Sequence, residues 1–146
     1  MASILVIDDD RAVLATIKVL LERAVHSVEA VENSRAGLKL LETRSFDLLI
    51  VDIFMPGMDG FETMKLVHRS HPEMPVIVIS GQQFALASER PPDFLHMATR
   101  LGAVSSLQKP FRPAELLAVV NGSLSSSHAP PGLHRKAAAG IPSERQ

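Results

Sequence analysis

Several apolar runs in the sequence end in residues whose side chains carry charge or donate hydrogen bonds. The acidic run Asp8–Asp10 closes the first apolar run, Asp52 closes a second and Ser80 a third, while Lys109 follows a weaker run. Short apolar runs of this kind are typical of strands covered on both faces in a parallel sheet. The side chains at the ends of these strands are therefore the first candidates for chemistry.

The residue types at these strand ends suit the transfer of a phosphoryl group. Asp8, Asp9 and Asp52 repel one another if their strands are neighbours, and a hard divalent cation such as Mg²⁺ is the usual remedy. Lys109 adds a positive charge and Ser80 adds a hydroxyl, and both can neutralise or bind phosphoryl oxygens. Asp52 itself can be the nucleophile, because carboxylates form acyl phosphates. The four strand ends together predict a magnesium-assisted phosphoryl site.

The rest of the sequence predicts the elements that position these side chains. Apolar residues recur at helical spacing between the apolar runs, and Pro and Gly mark the loops. Asp10 is placed to be the N-cap of the first helix. The alternation of strands and helices indicates βαβ units, whose parallel sheet lies between two helical layers and binds ligands beyond the carboxyl ends of its strands. We predict strands near residues 4–7, 27–31, 48–51, 76–79 and 103–107, and helices near residues 11–24, 34–43, 60–70, 93–102 and 113–120.

Composition narrows the class of protein further. A chain of 146 residues has room for one domain, and its net charge of -1 argues against a nucleic-acid binder with a strongly basic surface. The sequence contains no Cys, which excludes a disulfide scaffold and thiolate chemistry. It has no apolar run long enough to span a bilayer, and its first residues do not resemble a signal peptide. We expect a cytoplasmic domain at residues 1–121 and a disordered tail at residues 122–146.

Over roughly residues 2–120 the sequence resembles the receiver domain of two-component response regulators. The resemblance is carried by the motifs Ile4–Asp9, Asp52–Gly60, Val78–Gly81, Gly102-Ala103 and Lys109–Phe111. It implies an α/β fold of the flavodoxin-like (βα)5 type, a three-layer sandwich with a five-stranded parallel sheet in the order 2-1-3-4-5. It also implies a cis peptide bond between Lys109 and Pro110.

The resemblance assigns a role to each candidate residue. Asp52 would be the phosphoacceptor, and Ser80 and Lys109 would contact the phosphoryl oxygens. Asp8 and Asp9 would be acidic residues of a Mg²⁺ site, to which Asp52 and the backbone carbonyl of Phe54 would also contribute. The phosphoryl donor would be a sensor histidine kinase or a histidine phosphotransfer protein.

The sequence departs from the family pattern at two places. Receiver domains usually carry an aromatic residue three positions before the lysine, where this sequence has Ser106, and the chain contains no Tyr. The segment between Ser80 and Gly102 is also longer than usual and contains Pro91-Pro92. The usual aromatic switch therefore cannot operate at residue 106, and the surface around the predicted fourth helix is expected to be remodelled.

The leading hypothesis is a stand-alone signalling module that catalyses only its own phosphorylation and dephosphorylation. Its partners would be the phosphoryl donor and an unknown downstream protein, reached by phosphorylation-dependent binding or by phosphoryl relay, with no nucleic acid and no membrane. A second hypothesis is a phosphatase-like hydrolase with an aspartyl nucleophile on the first strand, because Asp8 and Asp10 have the Asp-x-Asp spacing of such enzymes. However, Ala12 stands where these enzymes prefer Thr or Val, and the chain lacks a cap for the substrate. A third hypothesis is a degenerate receiver that binds partners constitutively. The presence of all the candidate residues, Asp8, Asp9, Asp52, Ser80 and Lys109, argues against it.

Overall fold

The structure is a computed structural model that describes residues 1–53, 60–80, 100 and 103–127. The strands are β1 (Ser3–Ile7), β2 (Ser27–Val31), β3 (Leu48–Asp52), β4 (Val76–Ser80) and β5 (Ala103–Gln108). The helices are α1 (Arg11–Arg23), α2 (Ser34–Thr43), α3 (Gly60–Ser70) and α4 (Pro113–Ser127). The helix predicted near residues 93–102 lies outside the described residues, except for Arg100, which is helical.

The strands form one parallel sheet in the order β2-β1-β3-β4-β5, which confirms the predicted flavodoxin-like order. Central strands β1 and β3 are buried along almost their whole length, because helices cover both faces of the sheet. Strand order places the carboxyl ends of β1 and β3 side by side. The peptide bond between Lys109 and Pro110 is cis, as expected.

Successive side chains of a strand point to opposite faces of the sheet, so alternate residues pack against different helices. One core cluster joins Ile4, Val6 and Ile50 to apolar residues of α1 and α4. The other joins Leu5, Ile7, Leu49 and Val51 to apolar residues of α2 and α3. The sheet is therefore held between two helical layers.

Close packing of α2 on the sheet depends on Gly37. A Cβ atom at this position would collide with Ile7 Cδ1 and would lie 2.9 Å from Ile7 Cγ1, closer than real Cβ contacts allow. Ile7 is fully buried and directly precedes Asp8. The missing side chain at residue 37 thus allows α2 to approach the strand that carries the acidic run.

The last helix is longer than its sequence pattern indicates. The sequence pattern predicts an end at Val120 and a disordered tail from residue 122, but α4 continues to Ser127. Ser123 and Leu124 are buried, because they lie one helical turn beyond Val120 on the same face, whereas a side chain at Gly122 would meet open space. The first six residues of the predicted tail are therefore helical, and residues 128–146 lie outside the described residues.

Candidate phosphoryl and metal site

Parallel strands bring the candidate side chains to one edge of the sheet. Asp8 directly follows β1, Asp52 is the last residue of β3, Ser80 ends β4 and Lys109 directly follows β5. All four strands run in the same direction, so their carboxyl ends share this edge. The site is therefore built from residues that are far apart in sequence, and the strand order decides which of them meet.

Three of the predicted carboxylates form a cluster. Asp8, Asp9 and Asp52 each place a carboxylate oxygen within 4.8 Å of the others. Asp8 and Asp52 are buried, whereas Asp9 is exposed. The cluster thus has a buried floor of two acidic side chains and an open side at Asp9, through which an ion or a phosphoryl group can enter.

Lys109 bridges the two buried carboxylates. Its Nζ atom lies 2.9 Å from Asp8 Oδ2 and donates a hydrogen bond of 3.0 Å to Asp52 Oδ2. Burial by itself would lower the pKa of Lys109, but the hydrogen bonds and negative charges of Asp8 and Asp52 outweigh it and raise this pKa above its ordinary value. The lysine is therefore a permanent positive charge in contact with the predicted phosphoacceptor.

The pKa of Asp8 is raised from 3.8 to about 6. Burial is the main cause, since it removes water from the charged carboxylate. A hydrogen bond from the Asp10 backbone and the ammonium of Lys109 lower the pKa, and the neighbouring charge of Asp52 raises it again. The positive charge of Lys109 therefore does not fully offset the cost of burying the Asp8 carboxylate.

This donor set fits a hard cation. Asp8 Oδ2 is buried, and Lys109 Nζ is its neighbour of opposite charge at 2.9 Å. Carboxylate oxygens are the ligands that Mg²⁺ and Ca²⁺ prefer, and Mg²⁺ takes one or two of them while keeping several waters. A cluster of three carboxylates therefore offers more oxygen ligands than such an ion needs to take directly. Phe54, whose carbonyl was expected to contribute, lies outside the described residues.

Ser80 is placed beside the cluster by the pairing of β3 with β4. Asp52 lies opposite Ile79 in the register, so Ser80 is one residue beyond the partner of Asp52. The Ser80 carbonyl accepts a 2.8 Å hydrogen bond from the backbone N–H of Lys109, which joins the ends of β4 and β5. A backbone hydrogen bond therefore joins the two residues that carry the hydroxyl and the ammonium at this edge of the sheet.

Asp10 has a different function from its two acidic neighbours. Its side chain accepts hydrogen bonds from the backbone N–H groups of Ala12 and Val13, which confirms it as the N-cap of α1. Asp10 is not part of the carboxylate cluster. The hypothesis of a hydrolase with paired acids at residues 8 and 10 thus loses its geometric basis.

Sequence reasoning missed one contact of Asp10. Its backbone N–H donates a 2.9 Å hydrogen bond to Asp8 Oδ1. An aspartate that accepts from the backbone two residues ahead is a common local motif, so the spacing of Asp8 and Asp10 could have indicated it.

The fold and the site together define a receiver domain. The family model described as the response regulator receiver domain matches residues 4–121. The chain belongs to this family and contains the receiver domain of a two-component response regulator.

Curated proteins and solved structures agree with this assignment. The transcriptional regulatory protein CpxR of Escherichia coli K12 is 34% identical over 128 residues, which are 88% of this chain and 51% of CpxR. The response regulator protein FleR of Pseudomonas aeruginosa is 34% identical over 119 residues, which are 82% of this chain and 24% of FleR. The CheY-like receiver domain protein of Methanospirillum hungatei JF-1 superposes with a TM-score of 0.77 at 30% identity, covering 87% of this chain and 96% of that one.

The curated relatives are longer than this chain. The matched part spans about a quarter of FleR and about half of CpxR. Among the described helices, none is both long and apolar enough to cross a membrane.

Proposed function

We propose that Asp52 is the phosphoacceptor of this receiver and takes its phosphoryl group from a phosphohistidine. An Asp52 carboxylate oxygen forms a bond to phosphorus as the phosphorus–nitrogen bond of the donor breaks, and the leaving imidazole takes up a proton. The observation that carries the proposal is the contact of Lys109 Nζ with a buried Asp52 carboxylate at 3.0 Å. A buried carboxylate beside a fixed ammonium is pre-organised to receive an anionic group.

We further propose that Asp8, Asp9, Asp52 and the backbone carbonyl of Phe54 hold Mg²⁺. The support is the cluster of three carboxylates and the burial of Asp8 and Asp52, whose two negative charges share the one ammonium of Lys109. When bound, the cation would supply positive charge to the phosphoryl oxygens. The chain's own residues orient the group: Lys109 pairs with one phosphoryl oxygen, and the Ser80 hydroxyl donates a hydrogen bond to another.

The proposed activity is limited to the protein's own phosphorylation and dephosphorylation. The supporting observation is that Asp10, the second acid of the alternative hydrolase, caps α1 instead of facing the cluster. Asp8, Asp9, Asp52, Ser80 and Lys109 are all present, which argues against the third hypothesis of a degenerate receiver.

We propose that the receiver works as a single domain in the cytoplasm. Its donor would be a sensor histidine kinase or a histidine phosphotransfer protein. Its output would be phosphorylation-dependent protein binding or phosphoryl relay, without direct contact with nucleic acid or membrane. The near-complete overlap with the CheY-like protein of Methanospirillum hungatei supports a receiver of this length, and the net charge of -1 supports an output that does not use DNA.

The test is phosphorylation by acetyl phosphate, followed by intact-mass spectrometry. The protein should gain one phosphoryl group when Mg²⁺ is present and none when Mg²⁺ is chelated. Asp52→Asn should abolish the gain. Asp47→Asn is the matched control, because Asp47 is an exposed aspartate that precedes the same strand at the opposite edge of the sheet. Labelling of Asp52→Asn at the rate of the unmodified protein would contradict the proposal.

A further inference from the structure

Asp10 connects the acidic cluster to the first helix through two sets of hydrogen bonds. Its side chain accepts from the backbone N–H groups of Ala12 at 2.9 Å and Val13 at 3.2 Å. Its own backbone N–H donates to Asp8 Oδ1 at 2.9 Å. The carboxylate of Asp10 therefore fixes the conformation of the peptide whose N–H contacts Asp8.

The contact fixes the orientation of the Asp8 carboxylate. With Oδ1 engaged by the Asp10 backbone, Oδ2 lies 2.9 Å from Lys109 Nζ. Rotation of the carboxylate about its bond to Cβ would move both oxygens away from these positions unless one of them is held. The Asp10 peptide supplies that constraint from the backbone.

We propose that Asp10 is a positioning residue for the cation site, acting through its N-cap hydrogen bonds on the backbone donor that orients Asp8. The proposal rests on the proposed function, since it concerns the Mg²⁺ site described above. Asp10 touches neither the cation nor the phosphoryl group in this scheme. Its negative charge is not what matters; its ability to accept hydrogen bonds at the start of α1 is.

The second helix of the chain offers a matched control. Asn33 is the N-cap of α2 and accepts a 2.8 Å hydrogen bond from the backbone N–H of Ala36. Loss of either cap destabilises its helix by a similar mechanism. Asn33 is not part of the carboxylate cluster, so its removal reports the general effect of a lost cap.

The experiment compares Asp10→Ala, Asp10→Asn, Asp10→Gly and Asn33→Ala in the full chain. The Kd for Mg²⁺ is measured by calorimetric titration at physiological ionic strength, and folding of each variant is checked by far-ultraviolet circular dichroism. Asp10→Ala should raise the Kd about tenfold, the lower end of what loss of an indirect supporting residue costs a metal site. Asp10→Asn keeps the acceptor and should change the Kd about twofold or less, because the charge of an exposed side chain is screened. Asn33→Ala should leave the Kd unchanged.

Asp10→Gly keeps the test valid if Asp10→Ala folds poorly. Glycine provides no acceptor but is tolerated at an N-cap at a smaller loss of stability, so it should raise the Kd in the same direction. Equal effects of Asp10→Asn and Asp10→Ala would show a charge effect and overturn the proposal, as would an Asn33→Ala effect as large as that of Asp10→Ala. Failure of the unmodified protein to bind Mg²⁺ would instead refute the proposed function.

Discussion

Replacing Asp8 by Asn should stabilise the protein in the absence of divalent cations. Asp8 is fully buried, and burial and the charge of Asp52 raise its pKa from 3.8 to about 6. The hydrogen bond from the Asp10 backbone and the ammonium of Lys109 lower this pKa, but they do not offset the effect of burial. At neutral pH the Asp8 carboxylate is therefore charged and buried in the folded protein, whereas in the unfolded chain it is charged and surrounded by water. This difference makes the charge unfavourable for folding. Asn has nearly the same shape and carries no charge, and Lys109 keeps its hydrogen bond to Asp52.

The size and sign of the effect follow from the two pKa values. Between pH 3.8 and about 6 the folded state binds more protons at Asp8 than the unfolded state does. The free energy of unfolding contributed by this group is therefore highest below pH 3.8 and decreases as the pH rises through about 6. The difference between the pKa values corresponds to about 3 kcal/mol. Asp8→Asn should gain up to that amount at pH 7, or about 6–12 °C in Tm.

The assay is urea unfolding in the presence of a chelator, followed by far-ultraviolet circular dichroism because the chain has no Trp or Tyr. The difference in unfolding free energy between Asp8→Asn and the unmodified protein should be near zero below pH 4 and should reach its full value above pH 6. Adding Mg²⁺ should stabilise the unmodified protein more than the variant. A difference that does not depend on pH, or a variant less stable than the unmodified protein at pH 7, would refute the reasoning. Asp47→Asn controls for loss of an exposed carboxylate.

Four further substitutions test other parts of the site and fold. Asp9→Ala should abolish Mg²⁺ binding and phosphorylation, because it removes the exposed carboxylate of the cluster; normal labelling in an acetyl phosphate assay would contradict this. Lys109→Met should destabilise the cation-free protein by about 3–5 kcal/mol in urea unfolding, because two buried carboxylates lose their partner; an unchanged midpoint would show that the ion pairs contribute nothing. Gly37→Ala should destabilise by about 1–3 kcal/mol, because a Cβ would collide with the buried Ile7 side chain. Gly122→Ala, whose Cβ meets open space, should instead stabilise α4 by about 0.5–1 kcal/mol, and equal thermal shifts for the two glycine variants would contradict the packing argument.

The fold could be predicted from the sequence because its three central strands, β1, β3 and β4, are apolar on both faces. Runs such as Leu48–Val51 are compatible with little other than a covered parallel strand, and they mark the ends at which the site is built. The predicted bounds of the helix at 34–43 and the strand at 27–31 agree with the structure. The predicted order of the strands depended on the family resemblance, because the spacing of apolar residues along the chain does not define which strands are neighbours.

The end of α4 could not be predicted from local propensity. Gly122 and the serines that follow it are poor helix formers, and they suggested that the helix ends at Val120. Burial of Leu124 in the first core cluster overrides this preference, because tertiary packing supplies more stability than propensity does. The hydrogen bond from the Asp10 backbone N–H to Asp8 is, by contrast, a local motif that the spacing of the two residues could have indicated.

Ser106 raises the question of how a change at the site can reach the rest of the domain without an aromatic ring. The residue is exposed on β5 and lies opposite Val78 of β4. The link between β4 and β5 at the site does not depend on the side chain of Ser106, because the backbone N–H of Lys109 donates a 2.8 Å hydrogen bond directly to the Ser80 carbonyl. A displacement of Ser80 must therefore either carry Lys109 with it or break this hydrogen bond. We expect the backbone of β4 and β5, and not the rotation of a side chain at residue 106, to transmit the phosphorylated state.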